Sequence, residues 1–266
     1  MRGKAPDNPA KFDSYSLKPP IRILGIDFFQ GDVADAVAAV CAGGLLVAPS
    51  GPGLSSLPDD HIYRHALAAA DICLLDSGLL AWLWEFRHHR KLARISGYYL
   101  LCELLKTPEI GAPGASIWVA PTAASVERTR AWLAAEAKIK TQPEDWYVAP
   151  QYPPDKVADE TLLTLLQKRR PRFVFIAVGG GPQEKLGAWL KGRLNFRPAI
   201  LCTGAAIAFL TGEQARIPDW ADRARVGWLL RCLSDPKKFL PRYWDARRLI
   251  PLYLKWGEKS PATADQ

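Results

Sequence analysis

The sequence predicts an α/β fold in which a parallel sheet is flanked by helices and followed by a basic helical C-terminal appendage. Three observations carry the prediction. Short apolar runs alternate with helix-length segments along most of the chain. Between Phe173 and Gly212 two strand–glycine–helix turns follow one another, FVFIAVGGGPQEK and AILCTGAAIAF. Beyond Gly212 the composition turns basic and aromatic.

Taken in order, residues 1–20 are polar and Pro-rich. They read as a flexible arm without the apolar stretch of a signal peptide. Strands are expected at Ile21–Ile26, Leu45–Ala48, Ile72–Leu75, Ser116–Ala120, Phe173–Val178 and Ala199–Thr203. Helices are expected at Val33–Ala42, Asp59–Ala70, Gly78–His88, Tyr98–Lys106, Ala123–Ala137, Asp155–Arg169 and Gln183–Leu194. Strands this short and this apolar suit a sheet covered on both faces. The alternation implies parallel βαβ units, a Rossmann-like arrangement spanning 21–212. Residues 213–256 form the appendage and 257–266 a flexible tail.

The chain has 266 residues, 48% of them hydrophobic and 23% charged, enough for one large domain with an appendage. Its five cysteines show no CxxC spacing, which argues for reduced, buried thiols. No apolar run reaches the roughly 18 residues of a transmembrane helix. The net charge of +8 suits nucleic acid, an anionic membrane or a phosphorylated substrate. From Arg216 to Lys255 ten basic residues face four acidic ones, so this stretch supplies +6 of that charge. Trp220, Trp228, Phe239, Tyr243, Trp244, Tyr253 and Trp256 are interleaved with them. Such a surface can rest on anionic lipid, or be a solvated helical face with its aromatics turned inward. It contains no recognised nucleic-acid module.

The two glycine turns put helix N-termini at one edge of the sheet, where free N–H groups favour an anion and point to an enzyme with a phosphate-bearing donor. GGGPQEK is neither GxGxxG nor a P-loop, and no acidic ribose partner follows the first strand, so a nucleotide-dependent oxidoreductase is a poor reading. Asp76 closes the strand ICLLD. It is either a proton acceptor in the ligand crevice or a cap on the next helix. Arg94 is a candidate phosphate clamp. Gln183 and Glu184 can bond a hydroxyl or a base edge, or Glu184 can cap its own helix. His61 and His65 stand four apart without the carboxylates a metal site needs.

In order and spacing, these segments resemble the WecG/TagA/CpsF glycosyltransferase family (glycosyltransferase family 26), from about Ile21 to Tyr243. The matching residues are Asp76 in LLDSG, Arg94 and Gly97 in ARISGYY, and Gly179 with Gln183, Glu184 and Lys185 in AVGGGPQEK. Gly204-Ala205-Ala206 and Phe209-Leu210-x-Gly212 follow, then Arg216, Pro218, Trp220, Trp228, Arg231 and Pro236 in ARIPDW…GWLLRCLSDP.

The resemblance implies an inverting transfer of a sugar from a UDP-sugar to a polyprenyl-diphosphate-linked saccharide, in exopolysaccharide or cell-envelope glycan synthesis. It implies Asp76 as general base and Arg216 and Arg231 as counter-charges to the departing diphosphate. Gly179, Gly180, Gln183, Glu184, Lys185, Gly204 and Arg94 would bind the donor. Trp228, Lys237, Lys238 and Arg242 would meet the membrane or the acceptor. No cofactor and no metal are expected, since the chain lacks a DxD motif. The protein would lie in the cytoplasm, peripheral on the inner face of the plasma membrane. Nucleic acid is not an expected partner, and a homo-oligomer stays open. The chain departs from the family pattern at Pro49, Gly51, Tyr99, Ala208 and Gly227, where polar residues are usual. Those departures imply a different donor sugar, or a non-catalytic relative that binds a nucleotide sugar or lipid-linked glycan without turnover.

Overall fold

The computed structural model describes residues 18–214 and 227–261. Its strands are β1 (Lys18–Ile23), β2 (Ile26–Gln30), β3 (Gly44–Val47), β4 (Ile72–Cys73), β5 (Ser116–Ala120), β6 (Trp146–Val148), β7 (Phe173–Ile176) and β8 (Ala199–Cys202). They form one eight-stranded sheet in the order β1-β2-β4-β3-β8-β7-β5-β6. Every pairing is parallel except β1 with β2. The helices are α1 (Val33–Cys41), α2 (Gly51–Leu54), α3 (His61–Ala68), α4 (Gly78–His88), α5 (Gly97–Leu104), α6 (Ala123–Trp132), α7 (Glu160–Arg169), α8 (Pro182–Lys191), α9 (Ala206–Leu210), α10 (Gly227–Ser234), α11 (Pro236–Ala246) and α12 (Leu249–Trp256).

The expected α/β architecture with C-terminal helices is what forms, and the period of two along each strand shows why. Leu45, Val47, Val174, Ile176, Ile200 and Cys202 face one core, with side chains of α3, α4, α7, α8 and α12. Leu46, Phe173, Phe175, Ala199 and Leu201 face the other, with side chains of α1, α5 and α9. Burying each such aliphatic or aromatic side chain is worth about 1.5–3 kcal/mol, so both faces must be covered. Helix starts are set by short polar caps: Asp32, Asp60, Ser77, Ser96, Thr122 and Asp159 each accept a backbone N–H of the first turn.

Several expectations are corrected. The run Ile21–Ile26 is not one strand but the end of β1, a two-residue turn and the start of β2. Leu24 and Gly25 both take positive φ, 53° and 77°, as a tight hairpin turn requires. β1 begins at Lys18, inside the stretch read as an arm; residues 1–17 lie outside the described chain. β6 was not expected, nor was α2 in the glycine-rich loop after β3. The segment from Ala123 ends in a π turn, Leu133–Ala137. Residues 257–261, read as a flexible tail, are docked. The N–H groups of Leu24 and Gly25 donate to the carbonyls of Gly257 (2.8 Å) and Glu258 (3.0 Å). Arg64 donates to the carbonyl of Pro261 at 2.8 Å. The appendage packs on the sheet-bearing body, with α11 against α2 and α12 against α4.

Candidate active site

The carboxyl ends of the parallel strands open into a cavity of 1140 Å³. It is lined by the segments following β3, β4, β5, β7 and β8 and, on the far side, by α10, α11 and the start of α12. This is the edge where α/β sheets bind ligands, and the appendage forms its other wall.

Asp76 stands in this cavity, two residues beyond the leucine that follows β4. Its neighbour Ser77 is the N-cap of α4, its Oγ accepting the Leu80 N–H at 3.3 Å. The helix therefore has its cap, and the capping alternative for Asp76 is removed. Its carboxylate is 29% exposed, and Arg94 Nη1 lies 3.7 Å from Oδ1. The same guanidinium nitrogen donates to the Asp76 carbonyl at 3.1 Å. Arg94, read as a phosphate clamp, lines the cavity but grips Asp76 from both ends and so orients it. It arrives at the head of α5, which can sit there because residue 97 is glycine. A Cβ on Gly97 would lie 2.9 Å from the Thr203 carbonyl at the exit of β8.

The glycine turn after β7 is built differently. Gly179 and Gly181 take φ of 98° and 95°, a conformation side chains rarely adopt. A Cβ at residue 179, 180 or 181 would meet nothing within 4 Å, so the turn borders open space. The N-terminus of α8 does not wait for an anion. Glu184 folds back so that its Oε2 accepts the Gly181 N–H at 2.7 Å, and its Oε1 accepts from Gln183 Nε2 at 3.0 Å. Burial pushes the Glu184 carboxyl up to about 7, against the pull of the Gln183 and Gly181 hydrogen bonds and of the Lys185 charge. Gln183 and Lys185, expected at the donor, make contacts within the scaffold. Gln183 is fully buried, and its Oε1 has no hydrogen-bond partner. Lys185 Nζ donates to the Pro154 carbonyl at 2.7 Å and pairs with Asp60 Oδ2 at 2.6 Å, tying α8 to the head of α3. Glu184 alone of the three lines the cavity, together with Gly179, Gly180 and Gly204.

Of the five positions that depart from the family pattern, Gly51, Tyr99, Ala208 and Gly227 line this cavity; Pro49 does not. In the appendage, Trp228 is a lining residue and Lys237 is exposed. Arg216 lies outside the described residues, as do the side chains of Arg231, Lys238 and Arg242. Sequence reasoning did not single out Trp82, Trp244 or Arg247, which also line the cavity. The Arg247 guanidinium carbon sits 3.6 Å from the Trp244 ring centroid, a cation–π contact that leaves one arginine aimed at the cleft wall. Only tertiary structure brings α11 to this edge, and no local signal marks it. Among the described residues no three His, Cys, Asp or Glu side chains gather in a metal-binding group. No described helix is long and apolar enough to cross a membrane.

Chemically, the site offers one oriented carboxylate, open space above a glycine turn, and an aromatic wall carrying a guanidinium. A family model described as the glycosyl transferase WecG/TagA/CpsF family matches residues 21–262. No curated protein matches the chain.

Proposed function

The chain belongs to the WecG/TagA/CpsF glycosyltransferase family, and from that premise we propose an inverting, metal-independent transfer of a sugar from a UDP-sugar to a polyprenyl-diphosphate-linked saccharide. The observation that carries this reading is the placement of Asp76: in the cavity, one residue ahead of the helix cap, and held by Arg94. An acceptor hydroxyl gives its proton to an Asp76 carboxylate oxygen as its own oxygen bonds to the sugar's anomeric carbon. The bond from that carbon to the UDP oxygen breaks on the opposite face, and UDP leaves with the electron pair. Fixed guanidiniums stabilise the charge on the departing diphosphate, the part assigned to Arg216 and Arg231. Arg247 is well placed to add to them.

The open space beside Gly179, Gly180 and Gly204 suits the donor. Because Glu184 already occupies the head of α8, the diphosphate is assigned to the arginine side of the cleft. The basic, aromatic appendage, with Trp228, Lys237, Lys238 and Arg242, is assigned to an anionic membrane surface on the cytoplasmic side.

A screen of UDP-sugars against polyprenyl-diphosphate-linked saccharides, in excess EDTA, tests this. UDP release with inversion at the anomeric carbon is expected for one donor. Turnover that requires added magnesium or manganese overturns the metal-independent part. A second reading, binding without turnover, draws on the loss of polar groups at Gly51, Tyr99, Ala208 and Gly227, all in the cavity wall. Its signature is saturable UDP-sugar binding in calorimetry with no UDP released from any donor.

A further inference from the structure

Helix α4 starts at the catalytic edge and carries a feature that the transfer reaction does not use. Trp82 and Phe86, one turn apart, are 54% and 70% exposed. Their rings stack with centroids 5.7 Å apart. Two large aromatics held together in water are costly to leave uncovered, and contiguous apolar patches mark interaction surfaces. The pair is not isolated. Trp82 shares the cavity mouth with Leu240, Trp244 and Ile250, all exposed. α12, which packs on α4, adds the exposed Leu254. Exposed apolar side chains therefore stand on both the sheet-bearing body and the appendage around this cavity.

Charge decides what covers it. Arg87, Arg90 and Lys91 are exposed immediately beyond the aromatic pair. The one acidic residue between Gly78 and Lys91 is Glu85. Its carboxylate accepts the Leu92 N–H at 3.0 Å and lies 3.9 Å from Lys91 Nζ, so the collar keeps its net positive charge through Arg87 and Arg90. A second copy of the chain meeting this ridge across a twofold axis would bring the two basic collars together, which opposes such a dimer. An anionic bilayer pairs with the collar and takes the aromatic rings at its interface, where Trp and Phe partition favourably.

We infer that the Trp82–Phe86 ridge of α4 is a second membrane anchor, on the sheet-bearing body itself, that presses the mouth of the cavity against an anionic bilayer. The anchor needs neither donor nor acceptor, so it stands or falls separately from the transfer reaction.

The test is co-sedimentation of the full chain with vesicles of phosphatidylcholine containing phosphatidylglycerol, without substrates. Trp82→Ser with Phe86→Ser, made in one chain, should weaken binding about tenfold or more, since the lost apolar area was in the interface. Both side chains are exposed, so circular dichroism should show an unchanged fold. Arg90→Glu with Lys91→Glu should also weaken binding, and more so at low salt. Lys237→Glu with Lys238→Glu reads the appendage separately. Weakened binding there, with the aromatic variant within about twofold of the parent chain, overturns the inference and leaves the appendage as the sole anchor. Two other results also overturn it. One is a parent chain that dimerises without lipid while the aromatic variant is monomeric. The other is an aromatic variant whose vesicle binding is intact while its KM for a lipid-linked acceptor rises, which makes the ridge an acceptor track.

Discussion

Two of the strand-to-helix junctions at the cavity edge, those after β4 and β7, carry a carboxylate each, and they put it to opposite uses. After β4, Asp76 precedes the cap Ser77, and α4 takes its cap from the serine. The carboxylate is left half in the cavity, held by Arg94. After β7, Glu184 is the third residue of α8 and bends back onto the Gly181 N–H. There the carboxylate is consumed by its own helix, buried, and pushed up to about 7. The two differ in place relative to the cap by a few residues. That displacement separates a group offered to a ligand from a group that holds the scaffold.

Three substitutions break or sharpen this contrast. Asp76→Asn keeps the shape and removes the basic charge. It should lower kcat by about 10²–10⁴-fold, with only a small drop in melting temperature, since Ser77 still caps α4 and the ion pair lost to Arg94 is a 3.7 Å one. Steady-state kinetics with a parallel thermal melt checks it, and turnover within about threefold of the parent chain would end the general-base assignment.

Glu184→Gln should act on stability and its pH dependence instead. The folded carboxyl titrates near 7, above the ordinary 4.5, so the folded state keeps its proton where the unfolded state has released it. Stability is then fully present below about pH 4.5 and falls as pH rises toward 7, by about 3 kcal/mol in all. The variant should lack that slope, leaving a flatter profile in denaturant titrations between pH 5 and 8. Parallel profiles for the two proteins would show that Glu184 is not held as described.

Lys185→Met keeps the aliphatic stem but leaves Asp60 and the Pro154 carbonyl without their partner. Asp60 is partly exposed, so the cost should be about 2 kcal/mol rather than that of a fully buried pair, a drop of roughly 4–8 °C in Tm. UDP affinity should hold. Lost UDP affinity with an unchanged Tm would return Lys185 to the donor site.

The same contrast explains what could be read from the sequence. The place of Asp76 at a parallel edge was legible, but its spacing left cap and proton acceptor both open until Ser77 proved to be the cap of α4. The grip of Arg94 on Asp76 was not legible, because the two lie far apart in the chain and only the packing of α5 against the β8 exit joins them. Gln183-Glu184-Lys185 was legible as a motif, but a motif read alone does not say which side chains turn into the core. Five of the six strand regions and the major helices followed from apolar period and spacing. β6 did not, being three residues long at the sheet's edge. The β1–β2 turn was missed because Leu24 occupies a left-handed position that sequence rules reserve for glycine or asparagine. Trp244 and Arg247 were read only as members of a basic, aromatic run, since a composition signal marks a surface and not which residues curl over a cleft.

That turn has one more consequence. Its two N–H groups, unmatched within the hairpin, are satisfied by the carbonyls of Gly257 and Glu258. The hairpin and its partners lie at widely separated points of the chain. Without them the turn's N–H groups would be left to water. The clasp thus fastens the residues that follow α12 to the antiparallel edge of the sheet, so the helix beside the cavity is held both by its packing on α4 and by a backbone tie to the hairpin.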